Sequence, residues 1–373
     1  MDGHPKPIHQ SQPLSRRDFL RAAASVGAVG AGAVLLGACG SDDGSSRPTS
    51  TPGPAVDPPP ETTTIRLAKD PVDASQAPLY VAGLFLPEEG FTNVQYIDVP
   101  GFDPGIQQLA SGQIDIGRSF ASAVTVAADA GDPLVALAGL FNTNFRLFGN
   151  DRVQSLRDLK GKRIFVPKRG VTDIAYAFWA VLLAYVGIDI ERDVELIELS
   201  FIDLPRALQA DTIDAVIAPR PYSTLLETRY PGLHVVLDGA KDPPWSQYFG
   251  NFVTGNRDFV EKHPAATKRA LRAILKAADV CAREPERAAR YLVDKGFTPH
   301  SVAISTPFTY DQVLDAITGV SYAAWREFDP EDTVRFFALR LREAGLVKST
   351  PDDLIARATD WRYLNEIKRE LAV

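Results

Sequence analysis

Hydrophobic and polar positions sort along the chain into three regimes. Residues 22–38 form an apolar run of mostly alanine, glycine and valine, residues 40–63 hold almost nothing apolar, and from Thr64 onward short apolar runs alternate with helical spacings. The pattern predicts a strand at 64–69, a helix at 79–86, a strand at 94–99 and a helix at 106–110 that stops at Gly112. A short buried strand at 114–117, a helix at 121–130 and a strand at 134–140 follow, which together read as a βαβ series with parallel strands. A second series predicts strands at 163–166, 194–199, 213–217 and 234–237, with helices at 172–186, 204–210 and 221–230 between them. After a strand at 249–254 the pattern turns helical, over 257–263, 265–283, 285–294, 310–317, 330–344, 352–358 and 361–371.

The two series echo one another. Leu109-Ala-Ser-Gly-Gln-Ile114-Asp115 matches Leu208-Gln-Ala-Asp-Thr-Ile213-Asp214, in each case a helix end, a turn and an Ile-Asp strand start. Gly112 takes a left-handed cap easily, and Asp211, which tolerates it, holds the same place in the second copy. Two similar α/β lobes are therefore expected, 64–152 with 250–373 as the first and 153–249 as the second.

Before them, Ser15-Arg-Arg-Asp-Phe-Leu-Arg21 and the apolar run resemble a twin-arginine export signal. The run is shorter and weaker than the roughly 20 strongly apolar residues of a membrane span. It closes on Leu35-Leu36-Gly37-Ala38-Cys39, which resembles a lipobox, so residues 1–38 are read as signal, Cys39 as the lipidated residue and 39–63 as a disordered linker rich in Gly, Ser, Asp, Thr and Pro. The expected location is the outer face of the cytoplasmic membrane, held by the Cys39 lipid.

The chain carries 40 Lys and Arg against 47 Asp and Glu, a net charge of -7. Removing residues 1–38 leaves -9, and with no basic cluster this argues against a nucleic-acid partner. Of the two cysteines, Cys39 is taken by lipid and Cys281 sits in an apolar helical pattern that reads as core. No serine-nucleophile elbow, phosphate loop, zinc-protease helix or dinucleotide fingerprint is present, and His234, His263 and His300 are scattered. No cofactor, metal or catalytic residue is expected.

Ligands of α/β lobes sit at the carboxyl ends of strands. Four segments take that place: 70–78, Arg118-Ser119-Phe120-Ala121-Ser122, 168–173 and 219–222. Gln76, Ser119, Ser122 and Thr172 offer amide and hydroxyl groups there, with helix capping as the plainer role for Ser119 and Thr172. Arg118, Arg169 and Arg220 stand at three of the four mouths, suited to carboxylate, sulfonate or phosphate, or to a salt bridge. Tyr80, Phe120, Tyr222, Trp245 and Tyr248 would wall an organic ligand or pack a core.

Ala77-Pro78-Leu79-Tyr80-Val81-Ala82, Leu-x-Ser-Gly-x-Ile-Asp-Ile-Gly, Leu156-x-Asp-Leu-Lys-Gly-Lys-Arg163 and Ile213-Asp-Ala215, in that order, resemble the nitrate/sulfonate/taurine class of ABC-transporter substrate-binding proteins, thiamine-pyrimidine binders included. The resemblance implies a type II periplasmic-binding-protein fold, two α/β lobes with a ligand cleft between them. It implies a monomer that captures a small solute of the sulfonate, nitrate, carboxylate or pyrimidine class and passes it to an ABC permease and its ATPase. Carried over by position, the resemblance matches Gln76, Ser119, Ser122, Thr172 and Arg220-Pro221-Tyr222; with Phe120, Arg169 and Trp245 from the strand mouths and nearby aromatics, these make up the expected site. The chain departs from the pattern at Arg220, where an acidic residue is common before the proline, and at Phe120, where glycine is frequent. An exported enzyme or a ligand sensor on the same fold is the alternative.

Overall fold

The computed structural model describes residues 57–69, 76–99, 102–219, 222–298, 300–301 and 304–371. The expected export signal, Cys39 and most of the linker lie outside them. So does Arg220.

The first series folds as β1 (Thr64–Lys69), α1 (Ala77–Val81), β2 (Asn93–Asp98), α2 (Phe102–Ala110), β3 (Ile116–Phe120), α3 (Ala121–Ala130) and β4 (Leu134–Asn142). The second folds as β5 (Phe145–Gly149), β6 (Arg163–Val166), α4 (Ile174–Tyr185), β7 (Glu195–Glu198), α5 (Leu204–Gln209), β8 (Ala215–Pro219), α6 (Tyr222–Arg229) and β9 (His234–Asp238). Then β10 (Phe249–Asn256) leads to α7 (Arg257–Lys262), α8 (Pro264–Arg283), α9 (Pro285–Asp294), a short hairpin at 300–307, α10 (Tyr310–Thr318), α11 (Pro330–Glu343), α12 (Pro351–Ala358) and α13 (Arg362–Glu370).

The strands form two five-stranded sheets, ordered β2-β1-β3-β10-β4 and β7-β6-β8-β5-β9. In each the fourth place goes to an antiparallel strand that follows a crossover: β10 lies between β3 and β4, and β5 between β8 and β9. This corrects the all-parallel expectation, because β3 and β4 are neighbours in sequence and not in the sheet. It also moves the crossing: the chain leaves the first sheet between Asn142 and Phe145, upstream of the expected boundary after residue 152, and returns between Asp238 and Phe249. All of β5 is buried, so it lacks the alternation that marks a half-exposed strand.

The sequence echo has a structural counterpart. Asp115 Oδ2 accepts the Arg66 backbone N–H at 2.7 Å and its Nε–H at 3.2 Å, and Arg66 Nη2 reaches Asp115 Oδ1. Asp214 Oδ2 accepts the Arg163 backbone N–H at 2.8 Å and its Nε–H at 3.1 Å, and Oδ1 accepts from Nη2 at 2.9 Å. In each lobe the aspartate starting the third strand grips the first strand through one arginine. The turns before them match as well, with Gly112 at φ 72° and Asp211 at φ 52°.

Helix α8 buries Leu271, Ile274, Leu275, Ala278 and Cys281 over the first sheet, and burial pushes the Cys281 thiol far up. Gly139 on β4 admits no side chain, since a Cβ would lie 2.3 Å from the Phe249 ring. Helix α11 packs Val334, Phe337, Ala338 and Leu341 into one apolar cluster with Phe120 and Val124 of the first lobe and Trp179 and Val181 of the second. The expected linker ends earlier than residue 63. Glu61 accepts the Ala265 and Ala266 backbone N–H groups at 2.9 Å, and Asp57 accepts Lys268 Nζ at 2.7 Å, so opposite charge and a helix start tie residues 57–61 to α8.

Candidate functional site

A cavity of about 30 Å³ opens where the carboxyl ends of β1 and β3 meet the starts of α1 and α3. Gln76, Arg118, Ser119, Phe120 and Ala123 line it from the first lobe, and Ile174, the first residue of α4, closes it from the second. The space is enough for about two waters.

Four expected residues meet at this cavity: Gln76, Ser119 and Phe120, with Arg118 beside them. Gln76 precedes α1 and is 2% exposed, and Ser119 is 3% exposed. Gln76 Oε1 and Ser119 Oγ have no hydrogen-bond partner among the described residues. Buried polar atoms are nearly always paired, and leaving one unpaired costs about 1–3 kcal/mol, so these two atoms call for water or a solute as partners.

Arg118, Ser119 and Phe120 were expected in a loop after the strand. They are strand residues of β3, which runs on to Phe120 because β10 pairs with it through Asn251, Phe252 and Val253. Ser119 is thus no helix cap; Phe120 occupies the cap position of α3, and Ser122, buried at 2%, lies in its first turn. Arg118 Nη1 donates to Asn251 Oδ1 at 2.7 Å while its guanidinium lies 4.4 Å over the Phe120 ring. Neither Asn251 nor Ile174 was legible as a site residue, because the first arrives on a strand from over a hundred residues downstream and the second is an ordinary apolar helix start.

The remaining expected residues lie elsewhere. Arg169 is half exposed, donates from Nη2 to the Leu196 carbonyl at 2.8 Å and approaches Glu198, so β7 holds it. Thr172 is exposed, and Asp173 caps α4 by accepting the Tyr176 backbone N–H at 2.9 Å. Tyr222 begins α6 with its ring 6.4 Å from that of Phe308. Trp245 is 1% exposed among Phe178, Tyr185 and Phe336, a core tryptophan and no cleft wall. Tyr80 stacks on Phe297 and Tyr248 on Phe336. Among the described residues no cluster of histidine, cysteine and carboxylate side chains could hold a metal ion.

Two sheets of this strand order, linked by two crossovers, with a small, mostly apolar cavity in the first lobe that Ile174 of the second closes, define the periplasmic-binding-protein fold. Solved structures share it: the nitrate-binding protein NrtA from Synechocystis PCC 6803 matches with TM-score 0.65 at 14% identity, over 84% of this chain and 90% of that one. The alkanesulfonate-binding protein SsuA from Xanthomonas axonopodis pv. citri, bound to MOPS, matches with TM-score 0.58 at 17% identity, over 82% and 100%. The chain belongs to the NMT1/THI5-like family, whose model covers residues 77–288. Among curated relatives, the taurine-binding periplasmic protein of Escherichia coli is 27% identical over 308 residues, 78% of this chain and 89% of that protein. The bicarbonate-binding protein CmpA of a Synechococcus strain is 24% identical over 350 residues, 82% and 74%. Residues 7–37 match a model described as the twin-arginine signal of the cytochrome c reductase iron–sulfur subunit, which supports export.

Proposed function

We propose that this chain is an exported, lipid-anchored solute-binding protein of an ABC importer, which captures a small oxyanion-bearing solute between its lobes and delivers it to a permease. The observation that carries the reading is the pair of buried, unpartnered polar atoms, Gln76 Oε1 and Ser119 Oγ, in a cavity walled by both lobes. The relatives and structural neighbours named above are binding proteins for taurine, bicarbonate, nitrate and alkanesulfonate. Their shared chemistry is a compact, oxygen-rich anion. Ser119 and Arg118 supply hydroxyl and guanidinium donors for it, and Gln76 Oε1 offers an acceptor for a solute N–H or O–H. Closure by rotation about the two crossovers is the mechanism this arrangement supports.

Thermal unfolding of the purified body, residues 57–373, in taurine, ethanesulfonate, bicarbonate, nitrate and a pyrimidine tests the reading. A solute at about 100 times its dissociation constant stabilises the folded state by about 2.7 kcal/mol. A melting temperature unmoved by every compound counts against solute capture. The anchor has its own test: Cys39→Ala is expected to leave the protein unprocessed or released from membranes. Fractionation showing the variant membrane-bound and processed like wild type removes the lipid from the proposal.

A further inference from the structure

The outward crossover reads Asn142-Thr143-Asn144, and all three side chains are buried, at 4, 0 and 5% exposure. Asn142 gives one N–H to the Ala240 carbonyl at 3.4 Å. Its Oδ1, Thr143 Oγ1 and both polar side-chain atoms of Asn144 have no partner among the described residues. On the returning strand Asn251 is fully buried; its Oδ1 accepts from Arg118 and its Nδ2 has no partner. Folded proteins pair such groups, and where several gather unpaired a water, ion or ligand is the missing partner.

Asn251 is joined to the cavity through two of the residues that line it. Asn251 stands opposite Phe120 in the β3–β10 register and bonds Arg118, and both of those residues line the cavity. Phe145, next after Asn144, has its ring 5.6 Å from that of Phe120. The crossovers also pack on one another, Thr143 donating its backbone N–H to the Tyr248 carbonyl at 3.2 Å.

We propose that Asn144 and Asn251 are solute-binding residues, whose carboxamide N–H groups, with the Arg118 guanidinium, hold the oxyanion head group on the crossover side of the cleft. The inference rests on the solute-binding reading and adds to it the strands that move when the lobes rotate. Solute held there links capture to closure: the head group supplies partners to side chains that are otherwise buried and unpaired. Neutral carboxamides suit sulfonate, carboxylate, bicarbonate and nitrate oxygens alike, and they hold an anion less tenaciously than a second arginine would, which suits a carrier that must release its cargo.

Asn144→Leu, which keeps asparagine's branching and number of heavy atoms while removing its polar groups, separates a ligand role from a structural one. Leucine removes two unpaired polar atoms from a buried site, so the solute-free variant is expected to melt at or above wild type. Calorimetry with taurine, ethanesulfonate, bicarbonate and nitrate is expected to show at least a tenfold loss of affinity in the variant for each compound that wild type binds. Asn251→Ala, read by the same titrations, is expected to lose affinity likewise. A solute-free Asn144→Leu protein melting several degrees below wild type, or variants that bind as tightly as wild type, overturns the crossover site and leaves the importer reading standing. A wild type that binds none of the four overturns the oxyanion chemistry of both.

Discussion

Asp214→Ala is expected to lower the unfolding free energy by about 3–5 kcal/mol, the cost of stripping a buried ion pair of one partner. Asp214 gathers five donors on one 5%-exposed carboxylate: the Arg163 backbone N–H, Nε and Nη2, Arg152 Nε at 2.8 Å and Asn150 Nδ2 at 3.1 Å. Without it the Arg163 guanidinium stays mostly buried and β6 loses its grip on the start of β8. The half-exposed Arg152 adds less, because solvent screens its charge. Acid should act through the same group. Burial alone would raise the Asp214 pKa, but the arginine and amide donors outweigh it and hold the carboxyl well below the ordinary range. A depressed folded-state pKa gives stability that is complete above the unfolded value of about 3.9 and is lost as pH falls below it toward the folded value. Urea unfolding of wild type and Asp214→Asn between pH 2 and 7 checks both points: the variant should be weaker at pH 7 and lose less on acidification below pH 4. Equal midpoints for Asp214→Ala and wild type at pH 7 would show that the clamp contributes nothing.

This clamp shows which parts of the molecule were legible in the sequence. The Ile-Asp echo predicted two similar lobes, and the reason for it is now visible: each aspartate grips an arginine on a neighbouring parallel strand, Arg66 of β1 49 residues upstream in one copy and Arg163 of β6 51 upstream in the other. Local patterns placed the helices closely, α3 and α9 to the residue, because an amphipathic face carries its own period. Strand partners have no such local mark. The intrusion of β10 beside β3 depends on chain that lies more than a hundred residues away, and it turned Arg118 and Ser119 from loop into strand. Trp245 failed for a related reason: an aromatic near a strand end packs a core or lines a cleft with the same residue type, and only the rings of Phe178, Tyr185 and Phe336 around it decide. Asn142-Thr143-Asn144 reads in sequence as a polar turn between two apolar runs. Its burial follows from the returning crossover packing on it, where Thr143 meets Tyr248 and Gly250.

Arg118→Ala is expected to weaken binding of an oxyanion solute by roughly 30-fold or more, the 2–5 kcal/mol typical of a charge left without its partner in a closed site. The chain carries a net charge of -7, which disfavours the approach of an anion unless local positive charge offsets it. Arg118 is the guanidinium that the structure places on the cavity wall, whereas Arg169 is held by β7. Its pose is set from two sides, by Asn251 Oδ1 at one Nη and by the Phe120 ring 4.4 Å beneath its plane. Phe120 therefore serves as a platform that orients the arginine while narrowing the cavity. Lysine keeps the charge but offers neither the planar face nor the fork, so Arg118→Lys should recover only part of the affinity. Stopped-flow measurement separates the two roles an arginine can have here. A head-group contact shows itself in faster dissociation, with association little changed. A steering charge at the rim shows itself in slower, salt-dependent association and a loss of only a few-fold. Arg118→Ala binding the solute as tightly and as slowly released as wild type would mean that the cavity takes a neutral molecule, and that Arg118 serves only to fix Asn251 and the end of β3.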